Sequence, residues 1–292
     1  MTDGTTGVTM EKIRYRNKME QEMNQVKEAK ELLDEADAVL IGAAAGLSTA
    51  AGLDYAGQRF QQHFSDYIEK YGMTDMYSAG FYPFQTLEEK WAYWSRHVLL
   101  NRYGESLPLY QDLYNLVKDK EYFVMTTNVD GQFEKAGFDR ERLFEIQGNY
   151  GEFQCSVPCH QEVYSNEEAI KKMVKASQNF KIPSELIPHC PRFQAPMNMH
   201  LRIDSTFVET KRWYQEQEAL QKFVERYEDK KLVLLELGVG YNTPTIIKYP
   251  FERMNIYFPN VSLIRLNIED KPKEGIITIN QDIKEVLAAW KE

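Results

Sequence analysis

The chain has 292 residues, which is long enough for one large domain or two smaller ones with a substantial core. Its hydrophobic content of 43% is typical of a folded protein and excludes a largely disordered chain. The formal net charge is −9 and no basic stretch offsets it, so we expect neither nucleic acid nor an anionic membrane as a partner. A small molecule or another protein is the expected ligand.

The lack of a recognisable targeting signal and the odd number of cysteines predict a cytoplasmic location. No apolar run approaches the roughly 18 residues that a membrane-spanning helix needs. Residues 1–9 are polar, lack the apolar centre of a signal peptide, and are predicted to be a frayed lead-in. The odd number of cysteines, three, argues against a disulfide framework and favours a reducing cytosol.

The order of the predicted elements indicates the fold class. Apolar spacing predicts helices over residues 20–37, 61–70, 87–100, 107–119, 133–136, 166–177, 213–227, 244–254 and 282–290. Short apolar runs predict strands at residues 38–41, 121–125, 143–146, 231–237, 261–267 and 275–279. Because these strands alternate with helices, we predict an α/β fold with a doubly wound parallel sheet, similar to a Rossmann domain.

A change in composition predicts a smaller module within this fold. Residues 148–205 hold all three cysteines, several prolines and one polar helical run, so we interpret them as an inserted module. Residues 20–147 and 206–292 would then form the sheet domain, with a helical excursion at about residues 57–119.

A polar turn follows the strand predicted at residues 121–125 and reads Thr126-Thr127-Asn128-Val129-Asp130-Gly131. Open α/β sheets bind ligands at the carboxyl ends of their strands. The amide of Asn128 can hold a water or hydroxyl group, and the carboxylate of Asp130 can recognise a cation or a carboxamide. The same residue types are common in ordinary turns, so the motif alone leaves both interpretations open.

Two turns of small residues follow other predicted strands. One reads Gly42-Ala43-Ala44-Ala45-Gly46-Leu47-Ser48, and the other reads Gly238-Val239-Gly240. Such turns let phosphates approach backbone amides and the first turn of a helix. Close packing of a strand on a helix also requires small side chains, so that alternative stays open as well.

Taken in order, these motifs resemble the sirtuin family of NAD-dependent enzymes. The family motifs G-A-G-x-S, T-Q-N-I-D-G and G-T-S are similar to residues 42–48, 126–131 and 238–240. The segment G-I-P-D-F-R is similar to Gly52-Leu53-Asp54-Tyr55, although the proline is missing and only Arg59 could replace the arginine. The remaining likenesses are L-R-P-x-V-V-x-F-G-E at residues 201–209, I-N at Leu266-Asn267 and G-D-A at Gln281-Asp282-Ile283.

The resemblance implies NAD as a co-substrate and assigns residues to it. Asn128 would lie near the nicotinamide ribose, and Asp130 with the backbone of Val129 would hold the carboxamide. The turns at Gly42–Gly46 and Gly238–Gly240 would surround the phosphates, and Asn267 and Ile283 the adenosine. The implied cofactor-contacting residues are Gly42, Ala43, Ala44, Gly46, Asp54, Tyr55, Asn128, Val129, Asp130, Gln147, Gly238, Gly240, Asn267 and Ile283.

The chain departs from sirtuin deacylases at Gln147-Gly148, where those enzymes carry H-G. Their histidine acts as a general base on a ribose hydroxyl, and its pKa of about 6.5 suits that role. A glutamine amide cannot take up a proton near neutral pH, so we expect deacylation to be severely impaired. Cleavage of the nicotinamide–ribose bond needs orientation and electrostatic stabilisation instead, which Asn128 and Asp130 can still provide.

The same glutamine marks the class M, macrodomain-linked branch of microbial sirtuins, which this chain resembles. The resemblance implies a protein mono-ADP-ribosyltransferase that acts on a lipoylated carrier related to the glycine cleavage H protein, with a macrodomain hydrolase as a further partner. The alternatives are a deacylase of weak activity and a catalytically idle NAD-binding sensor. Arg202 is the remaining catalytic candidate, as a cation that steers an acidic partner or supports Gln147. Alternatively, it is a structural link between module and sheet.

The cysteines resemble a degenerate zinc site. Sirtuins carry C-x-x-C twice around a structural zinc. Here Cys155 and Cys159 are separated by three residues, and Cys190 is followed by Phe193 where a fourth cysteine would stand. A histidine, His160 or His189, could complete the site, but Phe193 suggests that packing has replaced the metal. We therefore treat bound zinc as doubtful and predict no metal.

Overall fold

The computed structural model describes residues 10–291, so the lead-in predicted at residues 1–9 lies outside the described residues. The helices are α1 (Met10–Glu35), α2 (Ala45–Ala50), α3 (Gly57–Tyr71), α4 (Met76–Ala79), α5 (Leu87–Arg102), α6 (Pro108–Val117), α7 (Gln132–Lys135), α8 (Glu167–Ala176), α9 (Lys211–Tyr227), α10 (Lys248–Tyr257) and α11 (Ile283–Ala289). The strands are β1 (Ala38–Ala43), β2 (Glu121–Thr126), β3 (Leu143–Glu145), β4 (Gly148–Cys155), β5 (Tyr164–Ser165), β6 (Met197–Leu201), β7 (Leu232–Leu237), β8 (Val261–Leu266) and β9 (Ile276–Ile279).

A six-stranded parallel sheet organises the chain, and this confirms the predicted fold class. Its order is β3-β2-β1-β7-β8-β9, so the chain winds outward first on one side of β1 and then on the other. The order therefore reverses between β1 and β7, the position at which sheets of this type bind ligands. Ala43 pairs with both Thr126 and Leu237, and Leu237 pairs with Leu266, so the carboxyl ends of four neighbouring strands lie level.

The central strands form because their residues are apolar on both faces. All six residues of β1 and all six of β7 are buried, as expected for a parallel sheet that is covered by helices on each side. One face packs against a cluster that includes Leu33, Tyr110 and Phe133, and the other face packs against Phe251 and Phe223. Polar side chains are therefore left to the strand ends, where the predicted turns lie.

A second sheet lies within the segment predicted as an inserted module. It has three antiparallel strands in the order β5-β4-β6, with a bulge between Asn149 and Phe153. Its apolar residues share one buried cluster with α3 and α5, and in that cluster Trp91 contacts Phe153 edge to face. The division of the chain into a sheet domain and a module stays a prediction.

Several helices differ from their predictions: α1 begins at Met10 rather than at Glu20, and α2 and α4 were not predicted. The segment predicted as helical from Pro244 to Met254 is helical only from Lys248, and it continues to Tyr257. Pro250, rather than Pro244, lies in the first turn of this helix, where the missing N–H group costs nothing. Within residues 10–291, no helix combines the length and the apolar character needed to cross a membrane.

Candidate active site

The centre of the candidate site is the turn after β2, which carries Asn128 and Asp130. Ser48 Oγ donates a 2.6 Å hydrogen bond to Asp130 Oδ2 and lies 2.9 Å from Tyr110 Oη. Asn128 Nδ2 donates to the Ala44 carbonyl oxygen at 3.0 Å and to Tyr110 Oη at 3.3 Å. We call Ser48, Tyr110, Asn128 and Asp130 the Asp130 network. It joins two turns that the sequence presented as separate motifs.

The Asp130 network is almost fully removed from solvent. Asp130 is 3% exposed, and burial raises its pKa, although hydrogen bonds from Ser48 and from the Gln132 amide oppose that shift. Burial also raises the pKa of Tyr110 well above its usual value, so its hydroxyl stays protonated. Asn128 Oδ1 accepts none of the hydrogen bonds found among the described residues. The network therefore offers a ligand one buried carboxylate and one amide oxygen.

Gly131 gives this turn its shape. Its backbone lies in the left-handed region with a φ of 67°, which glycine adopts without strain. A side chain at this position would also collide with the guanidinium group of Arg102. Arg102 donates to the Gly131 carbonyl oxygen at 3.2 Å and to Glu134 at 2.9 Å. Helix α5 therefore holds the turn that carries Asp130, a contact that nothing in the sequence indicates.

The glycine turns after β1 and β7 lie against each other. The Gly46 amide donates to the Gly238 carbonyl oxygen at 3.0 Å, and a Cβ atom on Gly46 would lie 2.6 Å from the Gly238 α-carbon. A Cβ atom on Gly42 would lie equally close to the side chains of Ile247 and Phe251. Close packing, the alternative left open by the sequence, thus accounts for these glycines. Their contact with phosphates stays a prediction.

The other residues predicted to contact the phosphates differ in whether their backbone groups are already hydrogen-bonded within the protein. The Ala44 amide donates to the Leu237 carbonyl oxygen at 3.1 Å, and the Ala43 carbonyl oxygen accepts from the Thr127 amide at 3.0 Å. Gly240, by contrast, is exposed, and nothing lies within 4 Å of the position that its Cβ atom would take. Of these residues, Gly240 leaves the most room for a ligand.

The predicted adenosine residues lie at the next strand ends. Asn267 Nδ2 donates to the Val239 carbonyl oxygen at 3.2 Å, which joins the turns after β8 and β7. Ile283 begins α11, and its side chain is buried in the core of the sheet, so contact with adenosine would involve its backbone.

The predicted pair Asp54 and Tyr55 lies between α2 and α3. The Asp54 carboxylate accepts from the Ala56 amide at 3.0 Å, and Tyr55 Oη donates to Tyr150 Oη at 3.1 Å. Arg59, which could replace the missing arginine, donates to the Asp54 carbonyl oxygen at 3.1 Å. Arg59 therefore supports the backbone of this segment.

Gln147 is half-buried between β3 and β4, and its neighbours fix its backbone. Its carbonyl oxygen accepts from the Arg202 amide at 3.0 Å, and the carbonyl oxygen of Ile146 accepts from Trp213 Nε1 at 3.1 Å. No hydrogen bond from the Gln147 side chain is found within residues 10–291. The Gln147 backbone is thus held in place, while the polar atoms of its side-chain amide stay available.

Arg202 has contacts that favour its structural interpretation. Its guanidinium group pairs with Glu209 at 2.7 Å and lies over the rings of Phe207 and Trp213, at 4.4 and 5.1 Å from their centroids. It also lines a surface cleft of about 500 Å³ together with Tyr214. The catalytic assignment of Arg202 stays a prediction.

The three cysteines come together as a cluster that could hold a metal ion. Cys159 Sγ lies 3.6 Å from Cys155 Sγ and 3.7 Å from Cys190 Sγ, and all three sulfurs lie within 4.8 Å of one another. Tetrahedral zinc with bonds of about 2.3 Å separates its sulfur ligands by about 3.8 Å, so the cluster fits three of four ligands.

Phe193 does not replace a metal by packing, contrary to the prediction. Its side chain is 59% exposed, so it does not fill the space of a fourth ligand by packing. His160 Nδ1 lies 2.9 Å from Cys159 Sγ, while its Nε2 lies 2.8 Å from Tyr164 Oη. Zinc at this cluster would tie the end of β4 to the segment around Cys190, which is a structural role.

A buried ion cluster beside the site was missed by the sequence analysis. Lys248 Nζ lies 2.8 Å from Glu236 and 2.6 Å from Asp270, and Arg265 pairs with Glu236 at 2.8 Å. The side chains of all four are at most 1% exposed. We call them the Lys248 network. Glutamate and arginine within the apolar strands β7 and β8 were the available signal, because charges buried at paired positions need partners.

Comparison with known proteins identifies the family. No protein-family model matches the chain. The chain is 37% identical over 276 residues to a Staphylococcus aureus protein described as "Protein ADP-ribosyltransferase", and the match covers 92% of this chain and 88% of that protein. It is 36% identical over 236 residues to a Fusarium oxysporum protein described as "Probable bifunctional ADP-ribose hydrolase/ADP-ribosyltransferase", a match that covers 77% of this chain and 39% of the fungal protein.

Solved structures with the same fold are sirtuins. A structure of Sir2Tm bound to a propionylated peptide has a TM-score of 0.58 at 19% identity, covering 90% of this chain and 96% of that chain. A Sir2–p53 peptide–NAD+ structure has a TM-score of 0.55 at 20% identity, with the same two coverages. At these identities the likeness shows the fold, and the bacterial relative adds the activity class. The chain belongs to the family of protein ADP-ribosyltransferases that are built on the sirtuin fold.

Proposed function

We propose that the enzyme cleaves the nicotinamide–ribose bond of NAD at the Asp130 network and transfers one ADP-ribose group to a protein. The observation that carries this proposal is the buried pair of Asn128 and Asp130 at the carboxyl end of β2. The pair lies beside the point where the strand order reverses, between β1 and β7.

The residues at this edge of the sheet fit NAD. The Asp130 carboxylate and the backbone of Val129 would hold the carboxamide, and the free Asn128 Oδ1 would accept from a ribose hydroxyl. Gly240 leaves room for the phosphates, and Asn267, which joins the turns after β8 and β7, would contact the adenosine. When bound, NAD supplies the ADP-ribosyl group, with nicotinamide as the leaving group.

Burial explains how the Asp130 network can assist this cleavage. Electrostatic interactions strengthen where water is excluded, and fixed groups need no reorganisation during the reaction. Ser48 and Tyr110 hold Asp130 and Asn128 in place through neutral hydroxyl groups. The carboxylate of Asp130 can therefore act on the positively charged nicotinamide ring, although the charges of Arg102 and Lys135 outside the network partly offset its own.

Gln147 determines which reaction follows. It stands where a deacylase has its general base, and an amide cannot accept a proton near neutral pH. General acid–base assistance is worth about 10²–10⁴-fold, so its absence disfavours deacylation much more than transfer. His200, the histidine nearest in the sheet register, uses both ring nitrogens on Glu152 and the Val208 carbonyl oxygen. We therefore propose Gln147 and Arg202 as further residues of the transferase site.

For the acceptor, we propose a lipoylated carrier related to the glycine cleavage H protein. This rests on the resemblance of the motif set and of Gln147 to the class M sirtuins. A macrodomain hydrolase is the proposed partner that removes the group. The name of the Fusarium oxysporum relative, which combines an ADP-ribose hydrolase with an ADP-ribosyltransferase in one protein, supports that pairing.

Labelled NAD tests the proposal directly. The purified enzyme is incubated with NAD labelled in its adenylate part and with a carrier protein, in lipoylated and unlipoylated forms. We expect label on the lipoylated carrier and release of nicotinamide. Removal of one oriented polar group from such a site costs about 10²–10³-fold, so Asn128→Ala should lose both signals by that factor.

The matched control is Asn260→Ala, which changes an exposed asparagine whose side chain donates to the Asp229 carbonyl oxygen. It should keep full activity. If the wild-type enzyme instead deacylates acetyl-lysine peptides efficiently without labelling the carrier, the transferase proposal fails. NAD binding without nicotinamide release would identify an idle sensor.

A further inference from the structure

Tyr241 is an exposed aromatic residue that the fold nevertheless holds in place. It follows Gly240 in the turn after β7, and its side chain is 58% exposed. Tyr241 Oη donates to Asp270 Oδ1 at 2.9 Å, and Lys248 Nζ lies 4.8 Å from the centroid of its ring. These two contacts hold the ring while more than half of the side chain stays exposed.

The groups that fix Tyr241 belong to the Lys248 network. Lys248 and Asp270 are fully buried, and Arg265 adds a second cation that pairs with Glu236 at 2.8 and 2.9 Å. Burying charged groups costs desolvation energy that their pairing only partly recovers, so such clusters are weak sources of stability. We infer that the buried charges serve instead to position the turn that carries Tyr241.

Three strand ends meet at this place. The loop after β8 is tied to the turn after β7, because Asn267 Nδ2 donates to the Val239 carbonyl oxygen at 3.2 Å. The same loop is tied to the end of β9, because the Asp270 amide donates to Asn280 Oδ1 at 3.1 Å and Asn280 Nδ2 donates back at 2.8 Å. Tyr241 therefore lies where the turns after β7, β8 and β9 converge.

The surface around Tyr241 suits a flat aromatic ligand. Ile268 follows Asn267 and is 66% exposed, while Gly240 has open space around its Cβ position. The two turns joined by Asn267 thus carry one exposed aromatic ring, one exposed aliphatic side chain and a backbone that a ligand can approach. Aromatic side chains bind nucleobases by stacking on their π face, at about 1–3 kcal/mol per base.

We propose that Tyr241 is a further specificity-determining residue whose ring stacks on the adenine of NAD, with Lys248 and Asp270 as its positioning residues. The inference rests on the proposed function, since it assigns the adenine end of the same NAD molecule. The proposed function itself concerns the nicotinamide end, at the Asp130 network on the other side of β1.

Two variants and two probes test this inference. Tyr241→Ala removes the ring, and Tyr241→Phe keeps the ring while removing the hydroxyl group. Calorimetry measures the binding of ADP, which contains adenine, and of nicotinamide mononucleotide, which does not. We expect Tyr241→Ala to weaken ADP binding by about 5–150-fold, the factor that matches the stacking energy, and to leave nicotinamide mononucleotide binding unchanged. Tyr241→Phe should keep most of the ADP affinity.

Kinetics provides the second readout. In nicotinamide release, Tyr241→Ala should raise the KM for NAD by the same factor as it weakens ADP binding, with kcat unchanged, because stacking is equal in the ground and transition states. Tyr257→Ala is the matched control, since Tyr257 is 75% exposed on α10 and belongs to neither network. It should change neither constant.

The inference is overturned if folded Tyr241→Ala binds ADP as tightly as the wild-type enzyme. It is equally overturned if both probes are weakened alike, because that result would indicate a general disturbance of the fold. Failure of the wild-type enzyme to release nicotinamide would instead contradict the proposed function, and ADP binding would still decide the role of Tyr241.

Discussion

The two sides of the candidate site are held together by different interactions. On the β2 side, the Asp130 network surrounds a single carboxylate with hydroxyl and amide groups. On the β8 side, the Lys248 network consists of two acidic and two basic side chains in contact. The difference separates two tasks. Under the proposed function, the Asp130 side would supply a negative charge for bond cleavage, and the Lys248 side would supply a fixed surface for binding.

The largest loss of stability is expected from a substitution in the Lys248 network. Lys248→Met leaves Glu236 and Asp270 buried with one cation fewer, and removing one partner of a buried ion pair typically costs about 3–5 kcal/mol. Chemical denaturation measures the free energy of unfolding. Lys248→Arg keeps the charge and should lose clearly less. A loss below about 1 kcal/mol for Lys248→Met would mean that the four charges do not act as a unit.

A smaller loss of stability is expected in the Asp130 network. Ser48→Ala removes the hydrogen bond to Asp130, and a bond to a charged group is worth about 1.5–3 kcal/mol of unfolding free energy. Ser78→Ala is the matched control, because Ser78 makes a 2.6 Å hydrogen bond to Asp75 in an exposed position. We expect a clearly smaller loss for the control. Equal losses would show that burial adds nothing to the Ser48–Asp130 contact.

The two sides should also respond to pH in opposite directions. Burial raises the pKa of Asp130, so its contribution to stability is present below its unfolded pKa and is lost as pH rises through the folded value. For Asp270, burial acts to raise the pKa, but hydrogen bonds from Lys248 and Tyr241 outweigh it and lower the pKa overall. The Asp270 contribution is therefore present above its unfolded pKa and is lost as pH falls through the folded value.

Denaturation of Asp130→Asn and Asp270→Asn between about pH 3 and pH 8, a range that spans the usual carboxyl pKa values, measures this contrast. Relative to the wild-type protein, Asp130→Asn should become more stable as pH rises. Asp270→Asn should be destabilised near neutral pH and should approach the wild-type stability in acid. Parallel curves for the two variants would contradict the distinction between the two sides.

The smallest loss of stability is expected at an exposed ion pair next to the Lys248 network. Lys273 pairs with Glu252 at 2.7 Å but is 51% exposed. Exposed ion pairs contribute about 0–1 kcal/mol, so Lys273→Gln should change the free energy of unfolding by no more than that. A loss as large as that of Lys248→Met would place Lys273 within the network and extend the buried cluster to the surface.

The same contrast explains what the sequence could predict. Apolar runs located the sheet strands closely, and polar residues after β2 marked Asn128 and Asp130 as candidates. The partners of Asp130 could not be predicted from the sequence. Ser48 lies 82 residues away in the chain, and Tyr110 belongs to a helix whose apolar spacing indicates only a core role. Such pairings depend on how parallel strands align, which local patterns do not encode.

The sequence did not predict the Lys248 network, for a different reason. Lysine is normally exposed, so Lys248 gave no signal, and the residue was assigned to the middle of a helix that in fact begins there. The buried state of Lys248 depends on Glu236 and Asp270, which lie 12 and 22 residues away. Phe193 was misjudged in the opposite sense, since a large apolar residue was assumed to pack and is instead exposed.

The contact between Gly46 and Gly238 limits how this protein can vary. Each α-carbon occupies the space that a side chain on the other residue would need, so the two backbones touch directly. Most tight contacts tolerate a larger residue when a neighbour becomes smaller. Here both residues are already the smallest, so no compensating exchange exists at either position. A library that randomises these two positions together should return the starting pair of glycines.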